Sequence, residues 1–305
     1  IEQMTDAANG ASEAISKEPV PFLSAFMGGM DSGVDMRDTK EQGTKYNGSG
    51  CLIHGLTVVA DSFLAIDKLL SERPEEADRL SDALLKDFAG YEELQDFLLS
   101  APKFGNNIPE VDKEAKEIAV KISDMVAGRK NYLGNGFRPD FATPSTHLLY
   151  GYWTGATPEG RKSREMLNYG VDPLYGEAGQ GLGFRILSAM QLPYEKFRGG
   201  YASHYGIDPK LFTAATYEER GLQFKNRVLA PTFFNEENKN IAPFYLYVNV
   251  TTPEILRAVL ENPKKYAPSG VYIMRIHGTF VNFLDLSPAI QQDIIKRLDL
   301  DSTRV

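Results

Sequence analysis

The sequence predicts an α/β fold on three observations. Apolar residues recur at helical spacing through most of 56–126. Short β-branched and aromatic runs stand at 245–250, 271–276 and 280–284. Helix starts with proline in the first turn follow these runs, at Thr252-Pro253 and Ser287-Pro288. Strands that alternate with helices favour α/β. The chain has 305 residues, enough for one large domain or two smaller ones. Apolar residues make up 42% and charged residues 24%, which predicts a folded globular protein.

The elements follow in chain order. Residues 1–20 are polar and small and read as a weak helix or a tail. Pro21 to Met27 begins a packed element, and Gly28 to Gly50 reads as loop. Leu56, Val59, Ala60, Phe63, Ile66 and Leu70 form the stripe of a first long helix, with Asp61 and Asp67 off it. Further helices are expected over 74–88, 91–99 and 111–126, with Pro102, Gly105 and Pro109 breaking the chain between the last two. Beyond Gly128 the texture turns to Gly, Pro, Tyr and Thr. Phe141 to Tyr150 reads as a buried strand and turn, and 186–192 as a short element. Helices through about Leu260 and Leu298 complete the pattern.

Net charge is −8 and the sequence pI about 5.2, with no basic block to neutralise phosphates, so nucleic-acid binding is excluded. Cys51 is the only cysteine, so no internal disulfide forms and a reducing, cytoplasmic setting is expected. No apolar stretch nears ~20 residues, so no membrane association is expected. No signal-peptide pattern opens the chain. The start at Ile1 without methionine suggests a processed chain or a fragment.

Individual motifs read modestly on local physics alone. Gly278 stands between two strand candidates, where glycine marks a turn, a bulge or a close backbone approach. It also permits more. Loss of a hydrogen atom from a glycine Cα leaves a radical spread over the adjacent amides, and planarity there is easy only without a side chain. His54, His147, His204 and His277 show no metal-ligand spacing, so no metal is expected; His277 reads as lining the loop. Gly179 to Gly183 is glycine-rich but lacks the dinucleotide pattern. Glu72, Glu75, Glu76 and Asp78 read as a solvated helix face, and Trp153 as core.

Two long stretches carry a resemblance. Asn135 to Lys162, with the core Gly155-Ala156-Thr157-Pro158-Glu159-Gly160-Arg161-Lys162, resembles a recurring block of the glycyl radical enzymes (pyruvate formate-lyase-like). Arg275-Ile276-His277-Gly278, with Phe283 and Gln292-Asp293-Ile294-Ile295, is similar to their radical signature. Pro21 to Ser24, Ala60 to Ile66 and Gly90 to Asn106 also look like the family, in its order. The resemblance covers the family's C-terminal part. It implies the C-terminal part of a ten-stranded α/β barrel with surrounding helices and a central glycyl radical loop. Residues 1–180 would be the barrel portion and 181–305 the glycyl radical domain. Isolated, such a half barrel would expose sheet edges and be poorly stable.

By this resemblance Gly278 is the catalytic radical store, a post-translational modification, with no cofactor bound in the chain. The family's thiyl-forming cysteine lies upstream of the segment matched by Pro21 to Ser24. Cys51 comes after that segment and reads as a small buried hydrophobe. The partners implied are a radical-SAM activating enzyme, an N-terminal part bearing the thiyl cysteine, small accessory subunits and a second copy in a homodimer.

Thr279 stands where eliminating and decarboxylating members carry an aromatic residue. The strings 148–155, 166–176 and 277–283 look most like the large subunits of benzylsuccinate and alkylsuccinate synthases. That implies addition of a hydrocarbon, toluene-like or an alkane, to fumarate. Tyr46 and Ile53 would form one wall of the substrate pocket. Ala142 and Pro144, two positions apart on one strand face, would form another. Such small residues leave room for a bulky or elongated substrate. Two alternatives stay open: another glycyl radical enzyme (a dehydratase or decarboxylase), or a non-catalytic spare radical domain.

Overall fold

The computed structural model describes residues 1–38, 48–142, 146–207, 209–233, 245–249, 251–276 and 279–298. They are a mixture of helices and strands, and they divide into two units.

The first unit comprises 1–52, 120–140 and 196–199. Its strands β1 (Ser49–Leu52) and β2 (Phe137–Phe141) pair in parallel, with Ser49 opposite Phe137 and Cys51 opposite Pro139. Burial alternates along β2: Phe137, Pro139 and Phe141 point inward, Arg138 outward. The polar N-terminal segment is a helix, Glu2–Ile15, rather than a tail. Its weak apolar content is offset by polar anchors. Arg129 donates to Thr5 Oγ1 at 3.0 Å and pairs with Glu2 and Asp6. Asn9 donates to Lys130 O at 2.9 Å and accepts from the Tyr132 amide at 3.1 Å.

The second unit comprises 53–119, 141–195 and 200–305. Its helix Leu56–Glu72 buries Leu56, Val58, Ala60, Ala65 and Leu69. Val59, Phe63 and Leu70, expected on the inner stripe, are exposed. The buried face is rotated because Thr57, Asp61 and Ser62 are drawn inward by hydrogen bonds. Ala65 and Leu69 share a core with Ala83, Phe88, Leu94, Leu98 and Ala101. Lys103 closes the C-terminal end of helix Glu92–Leu99 by donating to the carbonyls of Leu98, Leu99 and Ala101 at 3.0–3.2 Å. The helix Pro109–Ala127 is divided between the two units.

Among the described residues of the stretch 141–150, expected as strand and turn, only Phe141 is in a strand. β2 ends at Phe141, and Thr146–Trp153 is helical. That helix leaves Trp153 67% exposed, so the single tryptophan is not core.

Strands β3 (Gly200–Gly206) and β4 (Tyr245–Asn249) pair in parallel, Ala202 opposite Tyr245 and Gly206 opposite Asn249. β5 (Ile273–Ile276) and β6 (Thr279–Asn282) form an antiparallel hairpin. Helices Pro253–Glu261 and Pro288–Arg297 pack beneath it through Leu256, Val259, Met274, Phe283, Ile294 and Ile295. Thr252 caps the first of these helices, accepting from the Ile255 amide; Ser287 makes no such bond at the second.

Candidate functional site

The hairpin is built by alternation. Met274 points into the core, while Ile273 and Arg275 face out. The register pairs Ile276 with Thr279, the two residues that flank His277 and Gly278. His277 and Gly278 themselves lie outside the described residues. Asn282 closes the other end: it accepts from the Tyr272 amide at 2.9 Å and donates to Gly270 O at 3.1 Å. Gln291 donates to Phe283 O at 2.9 Å. Near the turn, Arg275, Thr279 and Phe280 are exposed, with the Arg275 guanidinium 5.6 Å from the Phe280 ring centroid.

A buried polar cluster adjoins the hairpin. Asn249 Nδ2 lies 3.3 Å from Arg275 O and 3.1 Å from His204 Nε2. The His204 amide donates to Asp172 Oδ2 at 2.9 Å, and its carbonyl accepts from Arg185 Nη2 at 2.5 Å. Asp172 also pairs with Arg185 at 2.9 Å and accepts from Ser203 Oγ at 2.5 Å. The Tyr169 ring stands edge-on to both His147 and His204, at 5.4 Å and 6.2 Å. His147 Nε2 is 3.3 Å from Asp293 Oδ1, and both side chains are 1% exposed. A cavity of about 40 Å³ lies among His147, Asn168, Tyr169, Asp172, Arg185 and His204. It has room only for a few waters. A larger cleft of about 190 Å³ runs along Asn249, Thr251, Tyr272, Arg275 and Phe280.

This arrangement holds backbone in place. Asp172 is committed to an arginine, a hydroxyl and an amide, so it has little capacity left to act as a base. Among the described residues no group of three or more His, Cys, Asp or Glu is placed to hold a metal ion.

Of the predicted site residues, Ile53 and Ala142 are described and both are half-buried. In sequence, Ile53 follows directly on β1 and Ala142 directly on β2. Ala142 is not on the strand itself, which stops one residue earlier. It packs against Tyr169 and Ala202. Through Tyr169, His204 and Asn249 a continuous series of contacts then runs from Ala142 to Arg275. Tyr46, Pro144 and Gly278 lie outside the described residues. Cys51 is half-buried on β1, and burial raises its thiol pKa, which disfavours the thiolate.

The block 155–162 is a structural clasp. Glu159 is fully buried, 2.7 Å from Ser62 Oγ on one side and 2.7 Å from Thr157 Oγ1 on the other. Arg161 donates to Thr157 Oγ1 at 3.1 Å, to the carbonyls of Lys162 and Glu165 at 2.9 and 2.7 Å, and to Gly155 O. Sequence reasoning missed Asp61 as a buried group. Its carboxylate accepts from the Phe104 amide at 2.7 Å, and burial raises its pKa well above the ordinary value. It also missed the Asp172, Arg185, His204 and Asn249 cluster.

Residues 1–151 match the sequence family described as pyruvate formate lyase-like. Formate acetyltransferase 1 of Escherichia coli (strain K12) is 29% identical over 247 residues, covering 81% of this chain and 30% of that protein. A glycyl radical enzyme from Archaeoglobus fulgidus superposes with a TM-score of 0.82 at 26% identity, over 98% of this chain and 37% of the other. The glycerol-bound B12-independent glycerol dehydratase from Clostridium butyricum gives 0.81 at 30% identity, over 97% and 36%. The chain thus spans about a third of the length of these relatives. The chain is thus similar to the pyruvate formate lyase-like family over residues 1–151, and shares the fold of glycyl radical enzymes over nearly its whole length.

Proposed function

We propose that this chain is the radical-storing C-terminal part of a glycyl radical enzyme, with Gly278 as the radical residue. One observation supports the reading: β5 and β6 pair in antiparallel register up to Ile276 and Thr279, the residues that precede and follow His277-Gly278 in sequence. Residues 181–305 would act as the radical domain and 1–180 as barrel wall. Tyr46, Ile53, Ala142 and Pro144 would line the substrate pocket. The thiyl-forming cysteine would reside in a part of the protein outside this sequence, and a radical-SAM enzyme would generate the radical.

The preferred reaction is addition of a hydrocarbon to fumarate. It rests on Thr279 after the radical glycine and on the strings 148–155 and 166–176. The thiyl takes a hydrogen atom from the hydrocarbon and becomes a thiol. The carbon radical adds to fumarate. The product radical takes the hydrogen back, which restores the thiyl and releases a substituted succinate. An apolar, water-excluding pocket suits such a substrate. A second reading is a dehydratase. It is favoured by the 30% identity to the glycerol dehydratase.

Anaerobic activation followed by EPR tests the first step. A doublet is expected, and brief air exposure should cleave the backbone at Gly278 and release the segment C-terminal to it. Gly278→Ala should show neither; a wild-type protein with no doublet and no cleavage rejects the proposal. The activated complete enzyme should then be offered fumarate with toluene or an alkane, and separately small diols. Fumarate consumption selects the synthase; diol turnover without it selects the dehydratase.

A further inference from the structure

The orientation of one side-chain amide can be settled by its neighbours. Asn249 presents a single atom to both Arg275 O and His204 Nε2. A backbone carbonyl only accepts, so that atom is the amide nitrogen, which has two hydrogens to give. His204 Nε2 must then accept the second hydrogen. It is the unprotonated nitrogen, and the imidazole carries its proton on Nδ1. The placement follows from the sheet. His204 on β3 is opposite Tyr247 on β4, and Asn249 lies two residues further, on the same face as position 247.

His204 is itself held by its backbone, whose amide and carbonyl are bonded to Asp172 and Arg185. Arg275 is three residues before Gly278 on β5. Both of its carbonyl's covalent neighbours belong to the strand that enters the turn. The outer face of that strand is exposed at Ile273 and Arg275. The Asn249 bond is therefore a directed polar tie on a strand whose hairpin partner, β6, is itself exposed at Thr279 and Phe280.

From this we infer that Asn249 is a positioning residue of the radical hairpin: its carboxamide, aimed by His204, holds the Arg275 carbonyl and so sets the strand leading into Gly278. The inference rests on the reading of Gly278 as the radical residue. Asn249 touches neither radical nor substrate in this role. It acts by fixing where the strand lies.

Two variants of the complete enzyme test it, Asn249→Ala and Asn249→Leu, the second retaining most of the side-chain volume. Amide hydrogen exchange across 273–282 is measured before activation, and EPR decay after it. Exchange in the hairpin should rise roughly two- to tenfold, the scale of one lost neutral hydrogen bond. Exchange in the helix Pro253–Glu261 should stay at the wild-type rate. The radical should decay faster by a similar factor. Unchanged hairpin exchange in a folded variant overturns the inference, as does a uniform rise across both segments. If Ala unfolds the protein, Leu decides. If wild-type protein forms no radical, the reading of Gly278 fails, while the exchange data still judge Asn249.

Discussion

The carboxylate of Glu159 lies 2.7 Å from the hydroxyl of Ser62, 97 positions earlier, with Glu159 wholly out of solvent. The bond fastens the clasp at 155–162 to the helix Leu56–Glu72. Glu159→Ala removes the carboxylate that accepts from both Ser62 and Thr157, while Ser62 keeps its bond to Val58 O and Thr157 its bond from Arg161. A loss of about 1–3 kcal/mol in unfolding free energy is expected. Adding Ser62→Ala should cost less than it does alone, by about 0.5 kcal/mol or more, because the two act as one unit. Urea unfolding of the four members of the cycle measures this. Strict additivity would show the bond to be energetically idle.

Arg185 and Asp172 form a 2.9 Å ion pair with side chains 6% and 7% exposed. Breaking a buried pair leaves a stranded charge, so Arg185→Met should destabilise by about 3–5 kcal/mol. Replacing both partners by apolar residues often restores stability in such pairs. Here it should not. Asp172 also accepts from Ser203 and from the His204 amide, and an apolar substitute leaves both without that acceptor. Denaturant midpoints of Arg185→Met and of Arg185→Met with Asp172→Leu check the claim. Full recovery in the double variant would contradict it.

The sequence made some of this visible and hid the rest for physical reasons. The helices Leu56–Glu72, Glu92–Leu99 and Pro109–Ala127 showed as 3.6-residue apolar patterns, and Pro253–Glu261 as a Thr-Pro start. The hairpin showed as two β-rich runs flanking a glycine. Periodicity failed where polar groups decide orientation. Asp61 turned a helix face inward by bonding the Phe104 amide, a partner that no local pattern predicts. It failed again within 141–150, expected as a buried strand and turn, where residues 146–150 belong to the helix Thr146–Trp153. His147 and Asp293 are separated by 146 positions, and Asp172 and His204 by 32. Such pairs exist only once the chain has folded. The segments that resemble the family carried structural information, as the bonds of Glu159 and Arg161 show.

His54 is predicted to make stability depend on pH. Burial, and then the charge of His147, lower its pKa from 6.5 to about 4. In that interval the unfolded chain binds more protons than the folded one. Stability from this group is therefore complete above pH 6.5 and lost as pH falls towards 4. Burial shifts Asp112 and Glu177 upward, and their contribution has the opposite sign, so the comparison must be differential. His54→Gln should lose less stability between pH 7 and pH 5 than wild type does. Urea midpoints at the two values give the answer. Equal losses would mean that His54 titrates as freely as in an unfolded chain.

Two glycines in the string 166–176 should respond differently to the same substitution. Gly170 has φ +52, and a Cβ there would stand 2.1 Å from Ala202 O and 3.1 Å from Phe141 O. Both obstacles are backbone atoms that cannot rotate away. The Val171 amide donates to the same Ala202 oxygen at 3.0 Å, so retreat would also break that bond. Gly176 has φ +85 with nothing within 4 Å of its Cβ position. Gly176→Ala meets only the left-handed backbone penalty, about 1–2 kcal/mol. Gly170→Ala adds overpacking against main chain and should exceed about 4 kcal/mol, the range reserved for severe lesions. Thermal and urea unfolding of the two variants, made side by side, provide the measurement. Equal effects would show that β3 can yield at Ala202, and that the close approach of 170 to this strand is not what fixes the turn.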